Sequence, residues 1–89
     1  MWGFFKKKEV VKVKTISITK DKWKMVSNGS KPISIILKDF SIGKYEMKYI
    51  INEEAFLIQP KVRKIKLSGV KQKKVYIKST ENTEVEITI

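Results

Sequence analysis

Apolar and polar residues alternate with a period of two along most of the chain, and no helical spacing is sustained for long. Such alternation is typical of a β-strand with one buried face. The clearest example is GKYEMKYII, which places Tyr45, Met47, Tyr49 and Ile51 at one phase and charged residues between them. The pattern therefore predicts an all-β protein.

About eight such segments follow one another at the spacing expected of a β-sandwich or small barrel. In VVKVKTISIT the apolar phase changes near Lys14 and Thr15, which indicates a bulge or a strand that passes between sheets. In ISIILK both phases are apolar, as expected near the centre of a sheet. We predict a small antiparallel β-sandwich of seven to eight strands, formed by one domain over residues 10–89.

Turn signals separate the predicted strands. Asn28-Gly29 is a strong hairpin signal, and Pro32 closes that turn. Residues 52–54 predict a second turn, after which AFLIQ returns as a strand. Pro60 ends this strand because proline cannot donate a hydrogen bond to a neighbouring strand.

The segment LKDFSIGKYEMKY resembles the signature of immunoglobulin-like and fibronectin-type sandwiches, in which Gly-x-Tyr-x-apolar-x-apolar follows the end of a hydrophobic strand. Gly43, Tyr45, Met47 and Tyr49 occupy these places. The resemblance implies that Gly43 and Tyr45 are structural, with Tyr45 as the "tyrosine corner" whose hydroxyl bonds the backbone a few residues upstream. It implies a sandwich architecture and leaves the strand order open.

The chain of 89 residues contains neither cysteine nor histidine. This excludes disulfides, thiolate and imidazole metal ligands, and the Ser/His and Cys/His nucleophile pairs. Several acidic residues, Asp21, Asp39, Glu53 and Glu54, lie at predicted turns, and no pair of carboxylates is predicted to share a cleft. We expect no catalytic activity, no cofactor and no metal.

Twenty basic residues oppose nine acidic ones, which gives a net charge of +11, and every basic residue except Arg63 is lysine. This balance favours anionic partners through a long-range field. Lysine binds as a point charge, whereas bidentate recognition of bases favours arginine. Any nucleic-acid binding is therefore expected to be independent of base sequence.

Lysines at polar strand positions form a candidate basic surface for phosphates. Its predicted members are Lys12, Lys14, Lys44, Lys48, Lys64, Lys66, Lys74 and Lys78. The alternative is that outward strand positions must be polar and that lysine protects sheet edges from other chains. Tyr76 is the main ring among these lysines, so the pattern gives little support for base stacking and favours the structural explanation.

Residues 1–9, MWGFFKKKE, form a predicted N-terminal arm with aromatic and basic parts. The predicted docking residues are Trp2, Phe4, Phe5, Lys6, Lys7 and Lys8. Each ring can bury about 150 to 250 Å², so three rings left in water would be costly. The arm is expected to pack on its own domain or on a neighbouring subunit. Anionic membrane is less favoured because so short a segment binds weakly.

These features predict a non-enzymatic structural or assembly module with a protein partner or a second copy of itself. In architecture it looks like the auxiliary and decoration proteins of virus and phage particles, and like accessory subunits of other large complexes. The alternative is a basic nucleic-acid-binding protein without sequence preference. The sequence shows neither a signal peptide nor a run of about 20 apolar residues, so a cytoplasmic or virion-associated location is expected.

Overall fold

A computed structural model describes residues 12–69 and 71–88, so the predicted arm at residues 1–9 lies outside the described residues. Within the described ranges, eight antiparallel strands form two four-stranded sheets. The strands are β1 (Val13–Ile18), β2 (Lys24–Gly29), β3 (Ile33–Leu37), β4 (Tyr45–Ile51), β5 (Glu54–Ile58), β6 (Lys64–Leu67), β7 (Lys73–Ser79) and β8 (Thr83–Thr88). The predicted all-β sandwich is confirmed.

The strand order is β1-β8-β3-β6 in the first sheet, here sheet 1, and β2-β7-β4-β5 in the second, sheet 2. Among these eight strands, only β4 and β5 are both consecutive in the chain and adjacent in a sheet. The six other connections between them pass from one sheet to the other. This order is that of a jelly roll, the eight-stranded double Greek key. This strand order differs from that of immunoglobulin domains. Their strands, lettered A to G along the chain, form one sheet of A, B, E and D and a second sheet of C, F and G.

The core lies between the two sheets and is formed mainly by alternate residues of the inner strands β3, β4, β7 and β8, with further residues from the edge strands β1 and β2. In β4, Tyr45 and Met47 are almost fully buried, and Tyr49 and Ile51 are half-buried towards the end of the strand. The predicted inner face of GKYEMKYII is therefore confirmed. The two sheets supply the remaining core residues Ile16, Ile18, Val26, Ile33, Ile35, Leu37, Val75, Ile77, Val85 and Ile87.

The strand β1 has neither the bulge nor the passage between sheets that was predicted near Lys14 and Thr15, so this prediction is wrong. The β1–β8 register runs without interruption, with Lys14 opposite Ile87 and Ile16 opposite Val85. The apolar phase changes because Val13, at the start of an edge strand, faces outwards and is exposed. A register shift occurs instead in β2, opposite β7, just where Val26 is buried in the core.

The predicted hairpin at Asn28-Gly29 is also wrong, because β2 pairs with β7 whereas β3 pairs with β6 and β8. A two-residue hairpin of the favoured type needs positive φ at both turn residues, and here only Gly29 has one, at 149°. The turn after β4 meets the requirement, with φ of 52° at Asn52 and 67° at Glu53. This second predicted turn is confirmed and forms the β4–β5 hairpin.

The connection from β3 to β4 passes from sheet 1 to sheet 2 and is fixed by Tyr45. The Tyr45 hydroxyl donates a hydrogen bond to the carbonyl oxygen of Lys38 at 2.5 Å and lies 3.1 Å from Oγ1 of Thr83. The Tyr45 ring stacks on Phe40 with 6.5 Å between centroids. Gly43, with φ of 91°, makes the turn just before β4. The hydrogen bond to Lys38 is the one that the sequence resemblance implied for this tyrosine.

Candidate binding surfaces

The strand β5 lies at an edge of sheet 2 and pairs only with β4 among the described strands. All of its residues are exposed, although three of the five are large and apolar. Leu57 is 69% exposed, Phe56 45% and Ile58 42%. An edge strand of a sandwich normally buries one phase, whereas β5 exposes apolar side chains at both. We call this strand, Glu54–Ile58, the β5 edge.

The backbone of the β5 edge has hydrogen-bonding groups on its outer side. The two-residue turn makes Ile51 and Glu54 a hydrogen-bonded pair, and alternate residues along β5 then bond β4. The N–H and C=O groups of Ala55 and Leu57 consequently point away from β4. Such groups on an edge strand form a template for another strand.

Nothing in the described part of the chain gives the β5 edge the usual protection against such pairing. Natural edge strands are guarded by lysine, proline, bulges or a covering segment, yet the sequence of β5 is EAFLI. Pro60 follows only two residues after the strand. The two ends of the strand have opposite charges, because Glu53 and Glu54 lie at its beginning and exposed Lys61 follows its end.

A second surface lies on the outer face of sheet 2. The Lys48 ammonium is 4.7 Å from the centroid of the Trp23 ring and 5.0 Å from that of Tyr76. The Lys78 ammonium is 4.9 Å from the Trp23 centroid and 3.3 Å from Oε1 of Glu46. We call Trp23, Lys48, Tyr76 and Lys78 the ring–lysine face.

The predicted basic lysines do not lie on a single sheet face. Lys74 and Lys78 alternate with Tyr76 along β7 and share the outer face of sheet 2 with Lys48. Lys64 and Lys66 lie on β6, at the opposite phase from Ile65 and Leu67, which pack on the core. These two lysines therefore face outwards from sheet 1, away from the ring–lysine face.

The other three predicted lysines lie at ends of strands. Lys44 precedes β4, where its ammonium donates to the carbonyl oxygen of Asp39 at 3.1 Å and lies 3.8 Å from Oε2 of Glu81. Lys14 is exposed although its backbone partner is buried Ile87. Lys12 is exposed just before β1. These lysines lie outside the ring–lysine face, and Lys44 contributes to the β3–β4 connection.

The position of Trp23 beside two lysines was not predicted from the sequence. This ring reaches Lys48 and Lys78 only because β2 lies beside β7 in the jelly roll, a pairing between distant segments. The bulge between Met25 and Ser27 also interrupts the alternation that would have shown Trp23 to face outwards. A local signal did exist, since Trp23 stands between two lysines in KDKWKM, as expected of a solvent-facing ring.

The outer face of sheet 1 has a different electrostatic character. Lys38 lies 3.3 Å from Oε1 of Glu84 and 3.7 Å from Oε2 of Glu86. The hydrogen bond and charge of Glu84, together with Glu86, raise the pKa of Lys38 above its usual value. Acidic residues of β8 thus compensate the lysine that follows the end of β3.

Between the sheets, an open cleft of about 230 Å³ lies next to the half-buried Tyr49, Ile51 and Leu67. Burial raises the pKa of the Tyr49 hydroxyl. The side chain of Lys73 closes part of this end, and its ammonium donates to the carbonyl oxygen of Lys31 at 3.2 Å. The cleft is therefore bounded by a lysine that is already engaged with the backbone.

In residues 12–69 and 71–88 there is no cluster of three or more Asp, Glu, His or Cys side chains arranged to hold a metal ion. The same ranges contain no helix long and apolar enough to cross a membrane. Comparison of the chain with protein-family models, curated proteins and solved structures gave no match.

Proposed function

We propose that this chain is a non-enzymatic assembly module that pairs with a second copy of itself through the β5 edge. The observation that carries the proposal is the exposure of Phe56, Leu57 and Ile58 on one edge strand that no other described strand covers. Apolar side chains in this position gain from burial at roughly 25 cal/mol per Å². The backbone groups of the same strand gain partners in the same step.

Antiparallel pairing centred on Leu57 suits both the side chains and the backbone. It places Leu57 beside its counterpart in the second copy and Phe56 beside the counterpart of Ile58. The outward N–H and C=O groups of Ala55 and Leu57 then form cross-strand hydrogen bonds. Sheet 2 of one copy and sheet 2 of the other then form one eight-stranded sheet.

The same register brings opposite charges together. Glu53, at the beginning of β5, lies across from Lys61 of the second copy, and the symmetric pair forms on the other side. Two chains of net charge +11 repel each other at long range. The two pairs of Glu53 and Lys61 attract each other at short range, and this attraction favours the antiparallel register despite the repulsion.

The jelly roll occurs in capsid proteins, which assemble, and it also occurs in lectins and cupins. The fold therefore supports an assembly role without specifying one. An auxiliary or decoration subunit of a virus or phage particle, or an accessory subunit of another large complex, is the setting that this proposal favours. The predicted arm with Trp2, Phe4 and Phe5 would provide a further contact to a neighbouring subunit. That contact is a prediction from the sequence alone.

Sedimentation velocity over a wide range of protein concentration tests the proposal. The wild-type protein is expected to pass from monomer to dimer as concentration rises, and Leu57→Lys is expected to remain monomeric because lysine blocks edge pairing. The free energy of unfolding should change by less than about 0.5 kcal/mol, since Leu57 is an exposed residue. The matched control is Ile42→Lys, which adds the same charge at an isoleucine that is 74% exposed in the β3–β4 connection.

Ile42→Lys is expected to dimerise like the wild type. A wild-type protein that stays monomeric at the highest concentration would overturn the proposal. Equal loss of dimer in Leu57→Lys and Ile42→Lys would also overturn it, because the effect would then come from net charge and not from β5.

A further inference from the structure

We infer that the ring–lysine face binds single-stranded nucleic acid, with phosphates on its lysines and unpaired bases on its rings. The inference goes beyond self-assembly and uses a different surface from the β5 edge. It rests on the positions of Trp23, Lys48, Tyr76 and Lys78 on the outer face of sheet 2.

Rings and ammonium groups alternate on this face within the reach of one nucleotide. Lys48 lies between Trp23 and Tyr76, at 4.7 and 5.0 Å from their centroids. Both side chains are partly buried, and the remaining part of each is open to solvent. Cation–π contacts at exposed sites are weak. A phosphate can therefore bind the lysine ammonium, and a base can stack on the ring in place of the ammonium.

The charge of the outer face of sheet 2 favours a polyanion. Lys74, Lys78 and Lys48 are its basic residues on the central strands, and Glu46, paired with Lys78, is the acidic residue beside them. The outer face of sheet 1 also carries lysines, two on β6 and Lys38, but Glu84 and Glu86 of β8 both lie beside Lys38. Among these residues, the excess of lysine over glutamate is therefore greater around the rings than on the opposite side of the sandwich.

The rings favour a single strand over a duplex or an acidic peptide. Bases inside a duplex are already stacked, whereas an unpaired base has a free face for Trp23 or Tyr76. An acidic peptide offers charge but no stacking face. Lysine does not make the bidentate contacts that distinguish bases, so binding is independent of base sequence.

Fluorescence anisotropy of a labelled oligothymidylate, measured at several salt concentrations, tests the inference. Lys48→Gln/Lys78→Gln is expected to weaken binding about tenfold or more at low salt and to reduce the log-log salt slope by about 1.4, because about 0.7 is lost for each single-strand phosphate contact. The matched control is Lys64→Gln/Lys66→Gln, which removes the same charge from the outer face of sheet 1 and should retain most of the affinity. Equal losses in the two double variants would overturn the inference.

The ring contribution is tested with Trp23→Ala, which leaves the charge unchanged. Loss of a stacked base should weaken binding of the oligothymidylate about tenfold at an unchanged salt slope, and Trp23→Phe should restore much of the affinity. Binding of a DNA duplex of equal length should be weaker in the wild type and insensitive to Trp23→Ala. Wild-type binding of duplex or polyglutamate as tight as that of the single strand would contradict the inference.

A second measurement covers the case in which Trp23→Ala does not fold. The chain has two tryptophans, so Trp2→Phe leaves Trp23 as the sole indole. Its fluorescence should be quenched as oligothymidylate saturates the protein, because a stacked base contacts the ring. Saturation without any change in Trp23 fluorescence would overturn the assignment of the rings.

Discussion

At the scale of single residues, Tyr45 links the two sheets at the point where the chain passes between them. Its ring is in the core, and its hydroxyl bonds the carbonyl oxygen of Lys38 beside Thr83. A tyrosine is suited to this place because one end of its side chain is apolar and the other carries a donor. The residue thus fixes the β3–β4 connection and contributes to the core.

Tyr45→Phe is expected to lower the free energy of unfolding by about 1 to 2 kcal/mol, because the carbonyl of Lys38 loses its buried donor. Urea denaturation followed by circular dichroism measures the change. Tyr49→Phe is the matched control, since it removes a half-buried hydroxyl that has no hydrogen bond to the described residues. It should cost much less than Tyr45→Phe, and equal costs would show that the hydrogen bond to Lys38 contributes little.

At the scale of elements, the β4–β5 hairpin presents the β5 edge. Its turn places Asn52 and Glu53 at φ of 52° and 67°, in the left-handed region. Asparagine tolerates this conformation, whereas glutamate pays a steric cost that glycine would not. The preferred pair for such a turn is Asn-Gly. The hairpin therefore carries some local strain at Glu53.

Glu53→Gly is expected to raise the free energy of unfolding by up to about 1 kcal/mol, because the strain at φ of 67° is relieved. The measurement is best made in the Leu57→Lys background, so that dimerisation does not contribute. Glu54→Gly is the control, since glycine within a strand should destabilise it by about 0.5 to 1 kcal/mol. Destabilisation by both changes would contradict the assignment of the turn.

The sequence predicted elements better than it predicted their neighbours. Alternation in β4 and the two apolar phases of β3 are local properties, and both strands lie where these patterns indicate. The hairpin predicted at Asn28-Gly29 failed because the partner of β2 is β7, far away in the chain. Which strand lies beside which depends on contacts between distant segments, and local patterns do not contain them.

The same limit explains the candidate surfaces. AFLIQ has the composition of a buried strand, and only its edge position in sheet 2 leaves Phe56 and Leu57 exposed. The lysines of the ring–lysine face were predicted individually, but their grouping around Trp23 follows from the pairing of β2, β7 and β4. Residue types were thus predictable from the sequence, and their juxtaposition was not.

At the scale of the whole molecule, the two proposed surfaces are compatible. The side chains of Leu57 and Lys48 are on the same, outer face of sheet 2 because the two residues are paired. Antiparallel pairing of two β5 edges therefore joins the outer faces of sheet 2 from both copies into one continuous face. The ring–lysine faces of both copies would then lie on the same side of one eight-stranded sheet. A dimer would offer a single strand two binding sites at once, with the gain in affinity that two linked sites provide.

The most direct test of self-assembly through β5 is hydrogen exchange of individual amides at low and high protein concentration. The Ala55 and Leu57 amides should exchange fast in the monomer and slowly at high concentration, because they acquire cross-strand acceptors. The Phe56 and Ile58 amides, which bond β4, should change little. Ala55 and Leu57 exchange rates that do not depend on concentration would contradict pairing at the β5 edge, as would equal slowing of the amides at positions 55 and 57 in Leu57→Lys.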